Sequence, residues 1–394
     1  MMVVIFLKKR LLLTLVILTL FFSWLIWLNL HQSVVTDTYR IRTDFPPLLF
    51  LPDSDQGPRI YAAAGILIES KSGAILYTKN AEQRRAPAST TKIMTAIVAM
   101  ERGNFRKIIT VSRRAARTGG STIHLKTGDR LSLKELLEGM MLRSGNDGSM
   151  AVAEGVAGSI ENFIELMNLK AKEIGAVNTN FRNPHGLRAP SHYTTALDLA
   201  LMARYGLANR KFANLVKKKT ALLEWEEHRK SVEVRNTNRL LWYLEGADGV
   251  KTGTTNEAGH CLVASATRDN KQLIAVVLNS GDRWGDCQRL LEYGFQEFDI
   301  IKIASAHRSI AKIKVRNGWP RRINLYPRSN LNAVVRKDKV NQISTKVTII
   351  NNPVAAPLKP GQTLGKVSYY YQERLVNEVD LINLKPVRKR WWFW

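Results

Sequence analysis

A chain of 394 residues with 45% apolar side chains is long enough for one large domain and a smaller one, and it excludes global disorder. Its formal charge of +26 calls for an anionic counterpart (nucleic acid, membrane headgroups or an anionic wall), and residues 301–394, with 19 Lys+Arg against 4 Asp+Glu, hold +15 of it. Two cysteines, Cys261 and Cys287, exclude a disulfide framework and a zinc pattern, and their apolar surroundings predict small buried hydrophobes.

In chain order, Lys8, Lys9 and Arg10 precede LLLTLVILTLFFSWLIWLNL, residues 11–30, which carry no charge. Twenty residues of helix rise about 30 Å, enough to cross a bilayer core. The following HQSVVTDTYR offers no small-x-small cleavage site, so residues 1–30 are expected to be an uncleaved anchor, basic end inside and the rest exported. Pro46, Pro47, Pro52 and Pro58 make 31–58 an extended linker. A compact domain is expected over 59–299. It opens with a β-hairpin around Lys71-Ser72-Gly73, continues with helical patterns over 90–101, 131–142 and 159–174, and has two β-rich runs, HCLVASAT and QLIAVVLNS, around Arg268-Asp269-Asn270. A last helix is expected over 286–298. Short alternating runs such as AKIKVRNG, RINLYP, KVTII and KVSYYYQ then predict a small β-domain over 300–384, followed by a basic aromatic tail, 385–394, ending RKRWWFW.

Three short patterns could carry chemistry. In PASTTKIMTAIVAME, Ser89 and Lys92 stand three apart at the start of a helical pattern, so their side chains point the same way. A desolvated lysine can take the proton from a serine hydroxyl, which is otherwise a poor nucleophile. Ser89 could equally be an N-cap, and residues 309–312 repeat the Ser-x-x-Lys spacing on an expected strand. RSGNDGS holds the chain's Ser-x-Asn, Ser144-Gly145-Asn146, either an ordinary polar loop or a hydroxyl and an amide presented to a ligand. Lys-Thr-Gly occurs twice. Lys251-Thr252-Gly253 leads into an apolar run, which suits an edge strand whose glycine admits a close backbone and whose lysine meets an anion. Lys126-Thr127-Gly128 precedes Asp129-Arg130 and is expected to be a solvated turn.

In the order Ser-x-x-Lys, Ser-x-Asn, Lys-Thr-Gly the chain resembles the penicillin-binding proteins, and more narrowly the low-molecular-mass D-alanyl-D-alanine carboxypeptidases. The likeness runs from residue 62 to the C-terminal region through SGAILYTKNAEQRRAPASTTK, LRSGND, MNLKAKEIGAVNTNFRNPHGL, HYTTALDLA, NTNRLLW, GVKTGTT, GFQEF and APLKPGQTLGKV. The resemblance implies an α+β transpeptidase fold, an antiparallel sheet flanked by helices, with an all-β C-terminal domain behind it. It implies removal of the terminal D-alanine from peptidoglycan stem peptides through an acyl-enzyme, acylation by penicillins, and no metal or cofactor. By that resemblance Ser89 is the nucleophile, Lys92 the general base and Ser144 the relay to the leaving amine. Asn146, Lys251, Thr252, Gly253, Thr254 and Thr255 hold the substrate, and the backbone N–H groups of Ser89 and Thr254 form the oxyanion hole. Two departures stand out: some relatives have histidine where Thr254 stands, and some have arginine at the middle of Asn236-Thr237-Asn238, so anion recognition rests more on Lys251 and the hydroxyls of Thr252 and Thr255.

The rival readings are a serine β-lactamase, a muropeptide endopeptidase of the same fold and a non-catalytic binder linking membrane to wall. A class A β-lactamase needs a glutamate to activate the deacylating water, and residues 165–168, Glu-Leu-Met-Asn, are too short for its Glu-x-x-Leu-Asn spacing. The intact motifs argue against a decayed binder. His185 and His192 are expected to be structural or loop residues. With the anchor placing the domain outside the cell, the basic C-terminal region is expected to meet anionic lipid or wall polymer and not nucleic acid. The tail is either an interfacial membrane contact or an exposed terminus.

Overall fold

The computed structural model describes residues 49–51, 57–226 and 231–390. The anchor expected over 11–30, most of the linker and the aromatic end of the tail, 391–394, lie outside them. No helix among the described residues is long and apolar enough to cross a membrane.

Strand alternation builds the central sheet. After the short β1 (Leu49–Phe50), β2 (Ala64–Glu69) and β3 (Ala74–Lys79) form the expected hairpin, turning at Gly73 with φ +76°. Five longer helices follow: α1 (Lys92–Arg102), α2 (Leu133–Leu142), α3 (Asn146–Ala157), α4 (Ile160–Glu173) and α5 (Ala196–Ala208). A hairpin, β4 (Thr220–Glu224) and β5 (Ser231–Arg235), leads to β6 (Ala247–Thr255), β7 (Gly259–Arg268) and β8 (Lys271–Leu278), and α6 (Arg283–Glu297) ends the domain. The sheet order is β1-β3-β2-β8-β7-β6, antiparallel throughout except that β1 pairs parallel with β3.

Side chains alternate across this sheet. Ile66, Ile68, Val263, Ile274 and Val276 face the core shared with the first five helices. Leu67, Leu262, Leu273, Ala275 and Val277 face the other way, onto Cys287, Leu290 and Leu291 of α6. Each large apolar side chain so buried contributes about 1.5–3 kcal/mol. Cys261 and Cys287 are both free and buried, on opposite faces. Of the helices, α3 and α5 carry no amphipathic stripe in the sequence, because they are buried nearly all round and need none.

A strand, β9 (Phe298–Ala304), crosses the position where the sequence suggests a domain boundary. It opens the all-β C-terminal domain with β10 (Ala311–Arg316), β11 (Arg322–Pro327), β12 (Leu331–Arg336), β13 (Ile343–Ile349), β14 (Thr363–Tyr371) and β15 (Arg374–Ile382). Strands β13-β14-β15-β11-β10 lie side by side over a core that includes Ile313, Leu325, Val367 and Leu381. Strand β12 pairs instead with β9, and Val334 and Phe298 are buried with Leu290 and Leu291, joining the two domains.

Candidate active site

Ser89 does not cap a helix. It lies in the single 3-10 turn Ala88–Thr91 that feeds α1, entered through Ala88 at φ +47°, and neither cap of that junction uses a side chain. A left-handed residue with a Cβ is uncommon and marks a turn held by its surroundings. One turn on, α1 carries Lys92 inward. Its side chain is 0% exposed, and Nζ lies 3.0 Å from Ser89 Oγ, 2.7 Å from Asn146 Oδ1 and 2.7 Å from the His185 carbonyl oxygen. Burial, and then the charge of Lys251, push the Lys92 amine well below its ordinary pKa, while Asp147 opposes them.

The opposite wall comes from the α2–α3 junction and from β6, the edge strand of the sheet. A capping box, Ser132 with Glu135, starts α2, and the chain leaves it through Ser144 at φ +69°. Ser144 Oγ accepts from Lys251 Nζ at 3.1 Å, and the same ammonium donates to the Thr252 carbonyl at 3.0 Å. Lys251 is 1% exposed; burial, with Arg283 nearby, lowers its pKa to about 7. Asn146 is the first residue of α3, its Oδ1 on Lys92 and its Nδ2 donating to the Gly119 carbonyl at 2.8 Å. One N–H and one lone pair of that amide are left over. Gly253 faces the Ser89 turn: a Cβ there would stand 3.0 Å from Ser89 N and 3.1 Å from the Pro87 carbonyl oxygen. The close backbone that this glycine admits is therefore the chain's own.

Between the walls lies a cleft of about 360 Å³, lined by Ser89, Ser144, Thr252, Gly253 and Thr254, and none of the described residues that line it is a carboxylate. Thr255 is not brought to it; its hydroxyl accepts from Ala258 N at 3.0 Å and closes a turn. The segment 165–168 lies on α4, where Asn168 pairs with the backbone of Phe181. Lys126-Thr127-Gly128 is the exposed turn expected of it: Gly128 has φ +91°, and Asp129 N bonds back to the Lys126 carbonyl. The residues just before it, 120–122 and His124, do line the cleft.

Arg143, Thr237 and Arg283 also line the cleft, and sequence reasoning gave none of them a role in binding. Thr237 Oγ1 lies 2.7 Å from Thr252 Oγ1. Arg283 donates to Thr254 Oγ1 at 2.7 Å and to the Gly253 carbonyl at 3.0 Å, and so tethers the end of β6 to the start of α6. Arg143 adjoins Ser144 and could have been suspected from that. Arg283 follows no motif.

Two buried histidines hold the loop that presents the His185 carbonyl. Arg182 N donates to His192 Nδ1 at 2.9 Å, so the neutral ring carries its hydrogen on Nε2, 3.0 Å from Thr91 Oγ1. Leu187 N likewise donates to His185 Nδ1 at 3.1 Å. Burial holds His185 at about 3 and His192 at about 4, so neither is charged near neutrality. Gly186, at φ +93°, passes so close to the Ser89 turn that a Cβ would fall 1.8 Å from the Ala88 carbonyl oxygen.

Residues 52–282 match the family described as D-alanyl-D-alanine carboxypeptidase, and residues 298–389 match the penicillin-binding protein 5 C-terminal domain. The chain is 38% identical to the D-alanyl-D-alanine carboxypeptidase DacF of Bacillus subtilis over 315 residues, 77% of this chain and 80% of that protein. Among solved structures, penicillin-binding protein 5 from Haemophilus influenzae superimposes with a TM-score of 0.75 at 31% identity, over 85% of this chain and 99% of that one. A variant of the streptomyces K15 DD-transpeptidase superimposes with a TM-score of 0.58 at 34% identity, over 60% of this chain and 99% of its own.

Proposed function

The chain belongs to the D-alanyl-D-alanine carboxypeptidase family and is a serine-type enzyme of that kind with a penicillin-binding protein 5 type C-terminal domain, and from this we propose how its own residues perform the reaction. The observation that carries the proposal is the buried amine of Lys92, held against Ser89 Oγ by Asn146 and the His185 carbonyl. When Lys92 is neutral, its two hydrogens serve those two oxygens and its lone pair faces the Ser89 hydroxyl. Lys92 takes the hydroxyl proton as Ser89 Oγ attacks the carbonyl between the terminal D-alanines. The backbone N–H groups of Ser89 and Thr254 meet the oxyanion, a kind of donor typically worth about 2.7–4 kcal/mol each. Ser144, steadied by Lys251, turns its hydrogen to the departing amine and is re-protonated from Lys92. Thr252, Thr254 and the charges of Lys251 and Arg283 receive the terminal carboxylate, in place of the arginine that Thr237 replaces. Water then attacks the ester, Lys92 again taking the proton, and frees the shortened stem. A penicillin acylates the same serine. Among the described residues the cleft offers no carboxylate to speed the release of that product, which favours a carboxypeptidase over a class A β-lactamase.

We also propose that residues 11–30 anchor the chain in the cytoplasmic membrane with the catalytic domain outside. The support is the uncharged stretch of twenty residues behind Lys8, Lys9 and Arg10. The experiment for the mechanism is labelling of the exported portion with a fluorescent penicillin, beside Ser89→Ala, Lys251→Ala and Lys126→Ala. A stable label is expected in the parent and in Lys126→Ala, with none on Ser89→Ala and a loss of at least about hundredfold in rate for Lys251→Ala. Absence of label in the parent would favour a binder; label lost within seconds would favour a β-lactamase.

A further inference from the structure

A second cavity, about 490 Å³, opens where the β2–β3 turn meets the C-terminal domain, and it shares no lining residue with the active-site cleft. Ile300 of β9, Leu331 of β12 and Val379 of β15 give it an apolar floor, and each belongs to a buried core or packs against one. Arg204 of α5 holds the turn at its rim, donating to the Ser70 carbonyl at 2.7 Å and to the Lys71 carbonyl at 2.9 Å. The charges of the cavity are few and already engaged. Glu69 accepts from Lys71 N at 3.1 Å and Ser72 N at 2.6 Å, and Glu378 accepts from Lys366 and from Ser368 Oγ. Lys71 Nζ donates to the Asn270 carbonyl at 3.3 Å. Two carboxylates against one ammonium leave the lining at −1 in a chain of +26, so a polyanion is better served almost anywhere else on the surface. The hydrogen-bonding capacity left over is neutral. Asn330 and Asn377 use only Oδ1, for Ala306 N at 3.0 Å and Glu378 N at 2.8 Å, and keep both hydrogens of Nδ2. Among the described residues the side chains of Ser329 and Asn332 have no hydrogen-bond partner at all.

Free amides above an apolar floor, without a field that attracts ions, suit an uncharged ligand with several acceptors and an apolar face. An N-acetylated sugar is such a ligand. Its acetamido oxygen accepts from a side-chain amide, its hydroxyls pair with Ser329 and Asn332, and the C–H face of its ring rests on Ile300, Leu331 and Val379. The volume lies within the range, about 300–1,000 Å³, that receives a small ligand whole, here a short run of a chain. Under the carboxypeptidase reading, on which this inference rests, the stem peptides hang from a polymer of N-acetylated amino sugars. We propose that the cavity binds an uncharged run of that glycan and holds the enzyme on the polymer while the active-site cleft works on its stems. No bond is made or broken there. Three strand spacings, about 14 Å, separate β2 from β6 across the sheet, so one polymer reaches both sites without competing with itself. A contact made equally in the ground state and the transition state lowers KM for the polymer and leaves kcat alone.

The test titrates the full chain, in a polyoxyethylene detergent that carries no sugar, with tetra-N-acetylchitotetraose and with cellotetraose, which lacks the acetamido groups. Calorimetry is expected to show the N-acetylated sugar bound about tenfold more tightly, the scale of one hydrogen bond, and an Asn332→Ala/Asn377→Ala double variant losing about tenfold. On glycan-linked stems the variant should show KM raised about tenfold with kcat unchanged, and on free diacetyl-L-lysyl-D-alanyl-D-alanine both constants within about twofold of the parent. Acylation of Ser89 by penicillin should leave sugar binding intact. Absence of binding in the parent, equal affinity for the two sugars, or an equal rise in KM on the free peptide would overturn the proposal. So would loss of sugar binding on acylation, which would put the sugar in the active-site cleft. If the double variant does not fold, hydrogen exchange on the parent decides: the sugar must slow exchange at 329–332 and 377–379, and protection around Ser89 in their place refutes the assignment. A parent that binds the sugar yet releases no D-alanine from the free peptide would strike the carboxypeptidase reading and not the cavity.

Discussion

Lys92 and Lys251 share one buried site, and neither can be understood alone. Charge on Lys251 helps keep Lys92 neutral, and Arg283 helps lower Lys251 to about 7. The pair therefore sets the proposed base beside the proposed anion-binding amine, a proximity that the sequence spacing of the motifs does not express. The residues that fix Lys92 include two histidines whose neutrality is structural, and these make a test at the same scale. A histidine whose folded pKa is depressed contributes stability that is fully present above its unfolded pKa of 6.5 and is lost as pH falls through the folded value. For His192, with a folded value of about 4, the window runs from 6.5 down to about 4 and involves about 3 kcal/mol. The melting temperature should fall across that window in calorimetry, and His192→Gln should flatten the fall. An unchanged slope in the variant would mean that other groups set the acid limit.

At the scale of elements, the site is a junction of termini. The 3-10 turn before α1, the break between α2 and α3 and the edge strand β6 meet there, and a loop from 182 to 192 wedges against the first of them. The two glycines of the repeated Lys-Thr-Gly separate the roles of their elements. Gly253 in β6 abuts the backbone of the Ser89 turn, so Gly253→Ala should slow penicillin acylation by about hundredfold, the cost of displacing a reacting group by a fraction of an ångström to an ångström. Gly128 has open space around it but a φ of +91°, so Gly128→Ala should lower stability by about 1 kcal/mol and leave acylation alone. Stopped-flow acylation and thermal melts on the two variants measure both; a loss of acylation in Gly128→Ala would contradict the assignment of that turn to the surface.

For the whole molecule, charge and architecture are segregated. The C-terminal domain carries much of the excess positive charge and docks on α6 through β9 and β12, on the sheet face opposite the first five helices. Lys385, Arg388, Lys389 and Arg390 precede four aromatic residues at the C-terminus. At about 1 kcal/mol for each basic residue near an anionic surface, this tail should bind phosphatidylglycerol vesicles more tightly than phosphatidylcholine ones, and less tightly at high salt. Co-sedimentation of residues 59–394 with and without 385–394 checks this; equal binding to both lipids, or no change on removing the tail, would reduce it to a solvated terminus.

Ser89 with Lys92, the edge placement of Lys251 and the split between the two triads were legible in the sequence because each follows from local order: three residues along a helical pattern, or a turn before an apolar strand. The same holds for the hairpin at Gly73 and for the change to short alternating strands after residue 300. Helices α3 and α5 were not legible, since burial on all sides removes the stripe that betrays a helix. Nor were Arg283, the His185 carbonyl or the second cavity. They reach the site by crossing from separate elements, and no periodicity along the chain records which side chains such a crossing will bring together. The sequence by itself thus pointed to Ser89 and Lys92 as the proposed nucleophile and base and, through the resemblance its motifs carry, to the kind of reaction. Only the tertiary structure decided which charges surround them, because desolvation and Coulomb interaction depend on distance through space and not along the chain.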